Sequence, residues 1–196
     1  MTQPHIAALT EKIRALEAEL EAELAKRRAE LRVGLEKGRA FFEDEVLRRH
    51  RELKTSLVKY IVTARPLVLL SAPVIYALIV PLALLDLAVT IYQAVCFPIY
   101  GIAKVRRRDY LVFDRYALAY LNAVEKLNCA YCSYANGLIA YVREIAGRTE
   151  QHWCPIKHAR RVVGAHAEYA GFEDYGDAEG YRSRIERWES EHRRKP

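Results

Sequence analysis

The residues of this sequence best suited to metal chemistry are its cysteines and a nearby group of histidines. Cys129 and Cys132 form a C-x-x-C pair, and Cys154 and His158 follow within QHWCPIKHARR, residues 151–161. Residues three or four apart share a helix face, so the members of each pair are expected to point in one direction. The two pairs make a Cys3His set, which suits tetrahedral zinc. An iron–sulfur cluster with one histidine ligand is the alternative.

The local sequence around Cys154 favours its use as a ligand. Pro155 suits the first turn of a helix, predicted to run to about residue 169, with Cys154 as its N-cap. A helix N-terminus favours the thiolate that a metal requires. His152 lies just before this start, so it either replaces His158 as the fourth ligand or orients the site from outside.

The elements between the two pairs decide whether they can meet. A helix is predicted from about residue 110 to Gly147, a probable C′ glycine by pattern. Unbroken from Cys132 to Gly147, it would be about 22 Å long. Residues 148–154 must then lead back toward Cys132, and even fully extended they span at most about 25 Å. The joint site therefore requires a break at Asn136-Gly137 or a nearly straight return, and otherwise the pairs meet only between subunits.

Several catalytic and cofactor motifs are absent from the sequence. Ser133 occupies the position of the histidine in a C-x-x-C-H haem attachment, and no βαβ setting supports a thioredoxin-like use of the pair. Cys154 and His158 lack an evident third group to orient a nucleophile. No alternating strand pattern and no glycine-rich phosphate loop is evident. We therefore lean against an enzyme, and an enzyme acting on lipid ranks last among the hypotheses.

The strongest signal in the sequence is apolar. Residues 66–103 contain one acidic or basic side chain, Asp86, in 38 positions. A spanning helix needs about 20 apolar residues, so this length approaches two spans. Basic residues flank both ends, namely Arg48, Arg49, Arg51, Lys54, Lys59 and Arg65 before it and Lys104, Arg106, Arg107 and Arg108 after it. Because basic segments stay on the cytoplasmic side of a membrane, both ends of the apolar stretch are expected on that side. We expect a transmembrane or re-entrant hairpin turning at residues 81–86, with Asp86 at its tip rather than handling protons.

The first region, residues 1–62, is predicted to be a long helix over roughly residues 4–62. Apolar residues recur with spacings of three and four at Ile6, Leu9, Ile13, Leu16 and Leu20, which is a coiled-coil pattern. Leu24 follows after a stutter, and the series resumes at Leu31. The stripe is narrow and its flanks are charged, so we expect self-association through residues 4–33.

The sequence thus predicts an all-α membrane protein in three parts. These are a coiled-coil helix (1–62), an apolar hairpin (63–103) and a helical cytoplasmic domain carrying the Cys/His cluster (104–196).

The net charge of +6 is modest, so no nucleic-acid partner is expected. No export signal is evident, which favours reduced thiols. We expect an oligomeric, non-catalytic scaffold in a bacterial-type inner membrane, with both termini cytoplasmic and an unidentified protein partner. The alternative is electron transfer through an iron–sulfur cluster.

Overall fold

The computed structural model describes residues 3–31, 33–36 and 39–192, and this part of the chain is mostly helical, in agreement with the all-α prediction. Its helices and strands, in chain order, are α1 (Gln3–Glu30), β1 (Val33–Glu36), β2 (Arg39–Phe42), α2 (Asp44–Glu52), α3 (Leu57–Thr63), α4 (Pro66–Ala77), α5 (Ile79–Tyr100), α6 (Ala123–Trp153) and α7 (Ala178–His192). The chain forms two compact units, Met1–Ala64 with Asp114–Ala130, and Arg65–Phe113 with Tyr131–Pro196.

The helix predicted over residues 4–62 is not continuous. After α1 the chain forms an antiparallel hairpin in which Gly34 pairs with Phe41. The Phe41 ring occupies the space that a Cβ at Gly34 would need, so this position accepts only glycine without rearrangement. Glycine is unfavourable inside a helix, whereas valine and phenylalanine favour strands. The hairpin therefore corrects the expectation that the chain has no strands.

The turn predicted at residues 81–86 is also not formed, because these residues lie in the first two turns of α5. Pro81 has no N–H to donate to the Ala77 carbonyl, and its ring clashes with that carbonyl in a regular helix. Helix α4 accordingly ends at Ala77. Leu78 has φ −63° and ψ −13°, a right-handed helical conformation, so the chain continues onward into α5 instead of reversing.

Helix α6 is unbroken at Asn136-Gly137, where the sequence allowed a break. The Asn136 side chain donates a hydrogen bond to the Cys132 carbonyl at 2.9 Å, within the same helix. Gly137 is buried, and a Cβ there would lie 2.5 Å from the carbonyl oxygen of Tyr110. Close packing of the Tyr110 backbone therefore explains this glycine, and outweighs its cost of about 1 kcal/mol in a helix interior.

The two ends of α6 are set by different features. At its start the Asn122 side chain accepts the Glu125 N–H, and the Glu125 carboxylate accepts the Asn122 N–H, which makes a capping box. At the other end Gly147 is not a cap. The His166 ring packs where a Cβ would project from Gly147, and the helix continues to Trp153.

The segment after α6 is irregular, whereas a helix was predicted from Pro155. The Lys157 N–H donates to the Glu173 carbonyl at 2.8 Å, and the Glu173 N–H donates to the Pro155 carbonyl at 2.9 Å. These bonds make an isolated parallel bridge between Ile156 and Glu173. A short 3-10 turn at Ala167–Gly171 precedes α7, which begins where the last predicted helix begins.

The second unit has one hydrophobic core. Its buried residues come from α5, from the segment between α5 and α6, and from α6; they are Phe97, Val105, Leu111, Leu138, Tyr141 and Ile145. The side of α5 that contains Phe97 is therefore covered by protein along α6. This packing determines which face of the apolar helix remains exposed.

Candidate functional site

The structure does not bring the two predicted ligand pairs together within one chain. Cys132 is exposed on α6, and Cys129 lies one turn earlier on the same helix. Cys154 is exposed and follows directly after the last residue of α6. The 22 residues from Cys132 to Cys154 correspond to about 33 Å of helix. The helix, in which the sequence allowed a break at Asn136-Gly137, is instead continuous and separates the two thiols.

Cys154 and His158 do not share a helix face. The Cys154 N–H donates to the Glu150 carbonyl at 2.8 Å, so this residue continues the end of α6 and does not cap a new helix. The His158 ring stacks on Tyr169 with centroids 6.0 Å apart, and the His158 N–H donates to the Tyr169 hydroxyl at 2.7 Å. The N-cap geometry that favoured a thiolate at Cys154 is therefore absent.

His152, the further candidate ligand, lies among aromatic rings. It stacks on Tyr100 with centroids 5.2 Å apart and meets Trp153 edge to face at 5.0 Å. His166 is the histidine held by a carboxylate, with Nε2 at 2.8 Å from Glu150 Oε2. Across the described residues (3–31, 33–36 and 39–192), no three His, Cys, Asp or Glu side chains are grouped to hold a metal ion.

The largest chemical feature that the structure does present is an exposed apolar surface, here called the apolar face, formed by α4 and the uncovered side of α5. Among the described residues, Pro66–Tyr100 is the one stretch of helix long and apolar enough to cross a membrane. No residue of α4 is buried, and on α5 the exposed side chains follow a helical stripe. Those of α5 include Val80, Leu84, Leu87, Ile91, Val95 and Ile99, between 54% and 73% exposed.

Asp86 lies on the covered side of α5 and has partners that the sequence did not suggest. Arg107 donates to it through Nη2 at 2.6 Å and Nε at 3.3 Å, and the Tyr134 hydroxyl donates at 3.1 Å. The Asp86 side chain is 15% exposed. The hydrogen bond to Asp86 raises the pKa of Arg107. Desolvation first, and then the same carboxylate, raise the pKa of Tyr134. Asp86 is therefore a paired structural charge, where a hairpin tip was predicted.

Gln93 is a second polar contact on this side, one that the sequence analysis overlooked. Its Oε1 accepts the Val105 N–H at 2.6 Å, and its Nε2 donates to the Tyr141 hydroxyl at 2.8 Å and the Val105 carbonyl at 3.3 Å. Asp86, Gln93 and Tyr100 are spaced seven residues apart. Side chains at this spacing lie on one helix face. That spacing was the available sequence signal for a protein-facing side of α5.

Aromatic residues lie at two places along the apolar face. Near the junction of α4 and α5, Tyr76 and Tyr131 meet edge to face at 5.6 Å, and the Tyr131 hydroxyl donates to the Ile75 carbonyl at 2.8 Å. At the C-terminal end of α5, Tyr100 meets Trp153 edge to face at 5.3 Å. Tyrosine and tryptophan are enriched where proteins meet the membrane–water interface.

No protein-family model matches the chain, and neither a curated protein nor a solved structure matches it. The features that bear on function are therefore the apolar face, the polar contacts on the covered side of α5 and the aromatic residues beside this face.

Proposed function

We propose that this chain is a membrane-anchored, non-catalytic scaffold or interaction protein that α4 and α5 hold at a lipid bilayer. The observation that carries the proposal is the exposure of Pro66–Tyr100, whose most apolar window has 0% of its residues buried. Soluble monomers rarely expose apolar patches larger than a few hundred Å². Moving one exposed leucine or valine side chain out of water contributes about 1.5–3 kcal/mol, so a dozen of them favour lipid strongly.

The course of the apolar helices bears on how the anchor is arranged. Basic residues flank both ends of residues 66–103, and α4 continues into α5 without reversing. A single crossing would place the two basic flanks on opposite sides, against the preference of both for the cytoplasmic side. We therefore favour an anchor that lies within one leaflet, with the apolar face toward the acyl chains. Both termini would then be cytoplasmic, at a bacterial-type inner membrane.

Liposome flotation tests the anchor. The double variant Leu84→Lys/Ile91→Lys places two charges on the apolar face, at positions 63% and 54% exposed. A charge at the centre of a bilayer-inserted helix costs about 2.5–3.5 kcal/mol, so flotation with vesicles should fall sharply. Val163→Lys is the matched control, because Val163 is 91% exposed and lies outside the helices. Equal flotation of the double variant and the control would contradict the proposal.

The arrangement of the anchor needs a separate measurement. Epitope tags at the two termini of the full chain, probed with protease in sealed inner-membrane vesicles, report which side each terminus occupies. The leaflet anchor predicts the same side for both tags. Tags on opposite sides would establish a full crossing and overturn the leaflet arrangement, while the anchoring itself would stand.

Self-association through α1 forms part of the proposed scaffold. The apolar residues of its stripe are exposed by 42% to 64%; they are Leu9, Ile13, Leu16, Leu20, Leu24 and, just beyond α1, Leu31. A second copy of α1 is the occupant that this heptad spacing fits. Leu16→Asp should lower the mass of the detergent-solubilised chain by light scattering. Ala22→Asp adds the same charge away from the stripe and should leave the mass unchanged.

Metal binding by Cys129, Cys132, Cys154 and His158 remains a prediction, with zinc expected and an iron–sulfur cluster as the alternative. Because α6 separates Cys132 from Cys154 by about 33 Å, a shared site requires a second copy of the chain. Elemental analysis and the visible spectrum of anaerobically purified protein distinguish the cases. A colourless zinc protein excludes the cluster, a brown protein supports it, and a metal-free preparation contradicts both.

A further inference from the structure

A cavity lies at the C-terminal end of α5, within the second unit, and the metal and anchor proposals do not use it. Its volume is about 690 Å³, and it is a partly open pocket lined by the end of α5 with residues 101–103, by the last turns of α6 and by α7. Sites for small ligands commonly occupy about 300–1,000 Å³. The cavity therefore has the size of a binding site for a small molecule or headgroup.

Arginines predominate among the charged residues that line this cavity. They are Arg148 from α6 and Arg184 and Arg187 from α7, and the lining contains one carboxylate, Glu168. The Glu168 carboxylate accepts a hydrogen bond from Gln151 at 2.9 Å. Arginine presents planar N–H groups that match the oxygens of carboxylates and phosphates. Three such groups around one space favour an anion with several oxygens.

Two of these arginines are held in place by the protein. Arg148 donates Nε to Glu144 and Nη1 to the Ala103 carbonyl, both at 2.8 Å. Arg184 donates Nη1 to the Gly171 carbonyl at 2.6 Å and forms an ion pair with Glu173 at 3.5 Å. Such contacts fix the guanidinium planes before a ligand arrives, which reduces the entropy lost on binding.

Donors remain available for a ligand. Within the described part of the chain, Nη2 of Arg148 and of Arg184 has no hydrogen-bond acceptor. Within the same part of the chain, the Arg187 side chain donates one hydrogen bond, from Nε to the Ser183 carbonyl at 3.3 Å. Arg187 is exposed, and it makes no ion pair with the residues whose side chains the structure describes. It is the arginine best able to turn toward a bound anion.

Two helices end at the cavity, and the negative ends of their dipoles oppose an anion. The chain offsets this effect at the end of α5. The Ile102 N–H donates to the Phe97 carbonyl at 2.9 Å, and Gly101 adopts the left-handed conformation with φ 69° that this cap requires. At the end of α6 the Cys154 N–H occupies the Glu150 carbonyl. Arg148 and Arg184 are ion-paired with Glu144 and Glu173, so Arg187 contributes most of the positive charge available to an anion.

We infer that this cavity binds a phosphate-bearing anion. Its position favours one source of that phosphate. Tyr100 lines the cavity, and its neighbour Ile99 is 73% exposed on the apolar face; His152 also lines it, and its neighbour Trp153 is 58% exposed. A phospholipid whose acyl chains contact the apolar face has its headgroup within reach of the arginines. The lipid source, but not the phosphate chemistry, rests on the proposed membrane anchoring.

The test uses the full chain in a neutral detergent, titrated with inorganic phosphate and with short-chain phosphatidylglycerol or phosphatidylcholine. Arg187→Gln should weaken binding of the anions by about tenfold or more, because one charge-assisted hydrogen bond contributes about 1.5–3 kcal/mol. Arg182→Gln is the matched control on α7, since Arg182 stacks on Tyr181 and lies outside the cavity. Glu168→Gln removes the lining carboxylate and should tighten binding, a gain that misfolding does not produce.

Each outcome decides part of the inference. Tighter binding of phosphatidylglycerol than of phosphate, sensitive to Arg187, identifies the lipid headgroup. Comparable binding of both anions, equally sensitive, identifies free phosphate as sufficient. Equal losses in Arg187→Gln and Arg182→Gln, or no binding of either anion, overturn the proposal. Phosphate binding retained by Leu84→Lys/Ile91→Lys in detergent, together with lost flotation, separates the cavity from the anchor. Intact anchoring without anion binding refutes the cavity alone.

Discussion

Replacing Gln93 with methionine tests whether α5 is packed on protein or surrounded by lipid at this position. The two side chains have similar length and volume, so the substitution removes hydrogen bonds with little change in packing. It leaves the N–H of Val105, which is 5% exposed, without its acceptor at 2.6 Å. It also removes the donor to Tyr141, which is 2% exposed.

The expected magnitude follows from these groups. A buried N–H left unpaired costs about 1–3 kcal/mol, and the Tyr141 hydroxyl loses a partner as well. The apolar methionine recovers part of this cost, so a net loss of about 2 kcal/mol is expected. For a domain of this size, that loss lowers the melting temperature by roughly 4–8 °C. Thermal unfolding in mild detergent, followed by far-ultraviolet circular dichroism, measures it.

Thr90→Val is the control, because Thr90 is an exposed residue of the same helix and the substitution is also nearly isosteric. It should leave the melting temperature unchanged or raise it slightly. If lipid surrounded Gln93, exchanging its amide for a thioether would be favourable and Gln93→Met would be stabilising. A melting temperature of Gln93→Met equal to or above that of the unsubstituted chain therefore refutes the packing of α5 on α6.

Three further predictions concern the second unit. Gly137→Ala should lower the free energy of unfolding by about 1–2 kcal/mol, because overpacking against the Tyr110 backbone exceeds the gain in helix propensity. Gly171→Ala is the control and should be nearly neutral, since no heavy atom lies within 4 Å of the added Cβ. Because the pKa of Tyr134 is raised in the fold, its contribution to stability is complete below about pH 10 and is lost as pH rises through the folded-state pKa. Unfolding measured from pH 9 to 11 should show this decline, with a shallower slope in Tyr134→Phe. Spin labels on Cys132 and Cys154, in a chain without its other cysteines, should be separated by about 33 Å; a separation below about half that length would indicate a broken α6.

Helix periodicity and the apolar run were sufficient to predict the helical class and the location of Pro66–Tyr100. The course of the chain through that run was not predictable in the same way. Two basic flanks and Pro81 suggested a reversal, but proline interrupts a helix without dictating a turn. The backbone at Leu78 remains right-handed, and α5 has protein to pack against. Tertiary contacts of this kind do not appear in a hydropathy pattern.

The predicted metal set depended on two glycines, and both were misread for one physical reason. Gly137 and Gly147 were taken as a possible break and a probable cap, which are common local roles. In the fold each is a close-approach site inside a helix, against the Tyr110 backbone and the His166 ring. A local sequence pattern does not indicate a neighbour 19 or 27 positions away. Asp86 presents the same difficulty, because Arg107 lies 21 positions later.

The contacts of α5 with α6 have a consequence for how the chain selects one alignment of its helices. Asp86 bonds Tyr134 and Gln93 bonds Tyr141, and both pairs are separated by 48 positions. An apolar helix alone can slide along a neighbour with little change in energy, since leucines and valines interchange readily. Because the two polar pairs have the same separation in sequence, one alignment of α5 with α6 forms both sets of hydrogen bonds, and a shifted alignment loses both. The few hydrophilic side chains of α5 therefore act as a register mark, as single polar residues do in coiled coils.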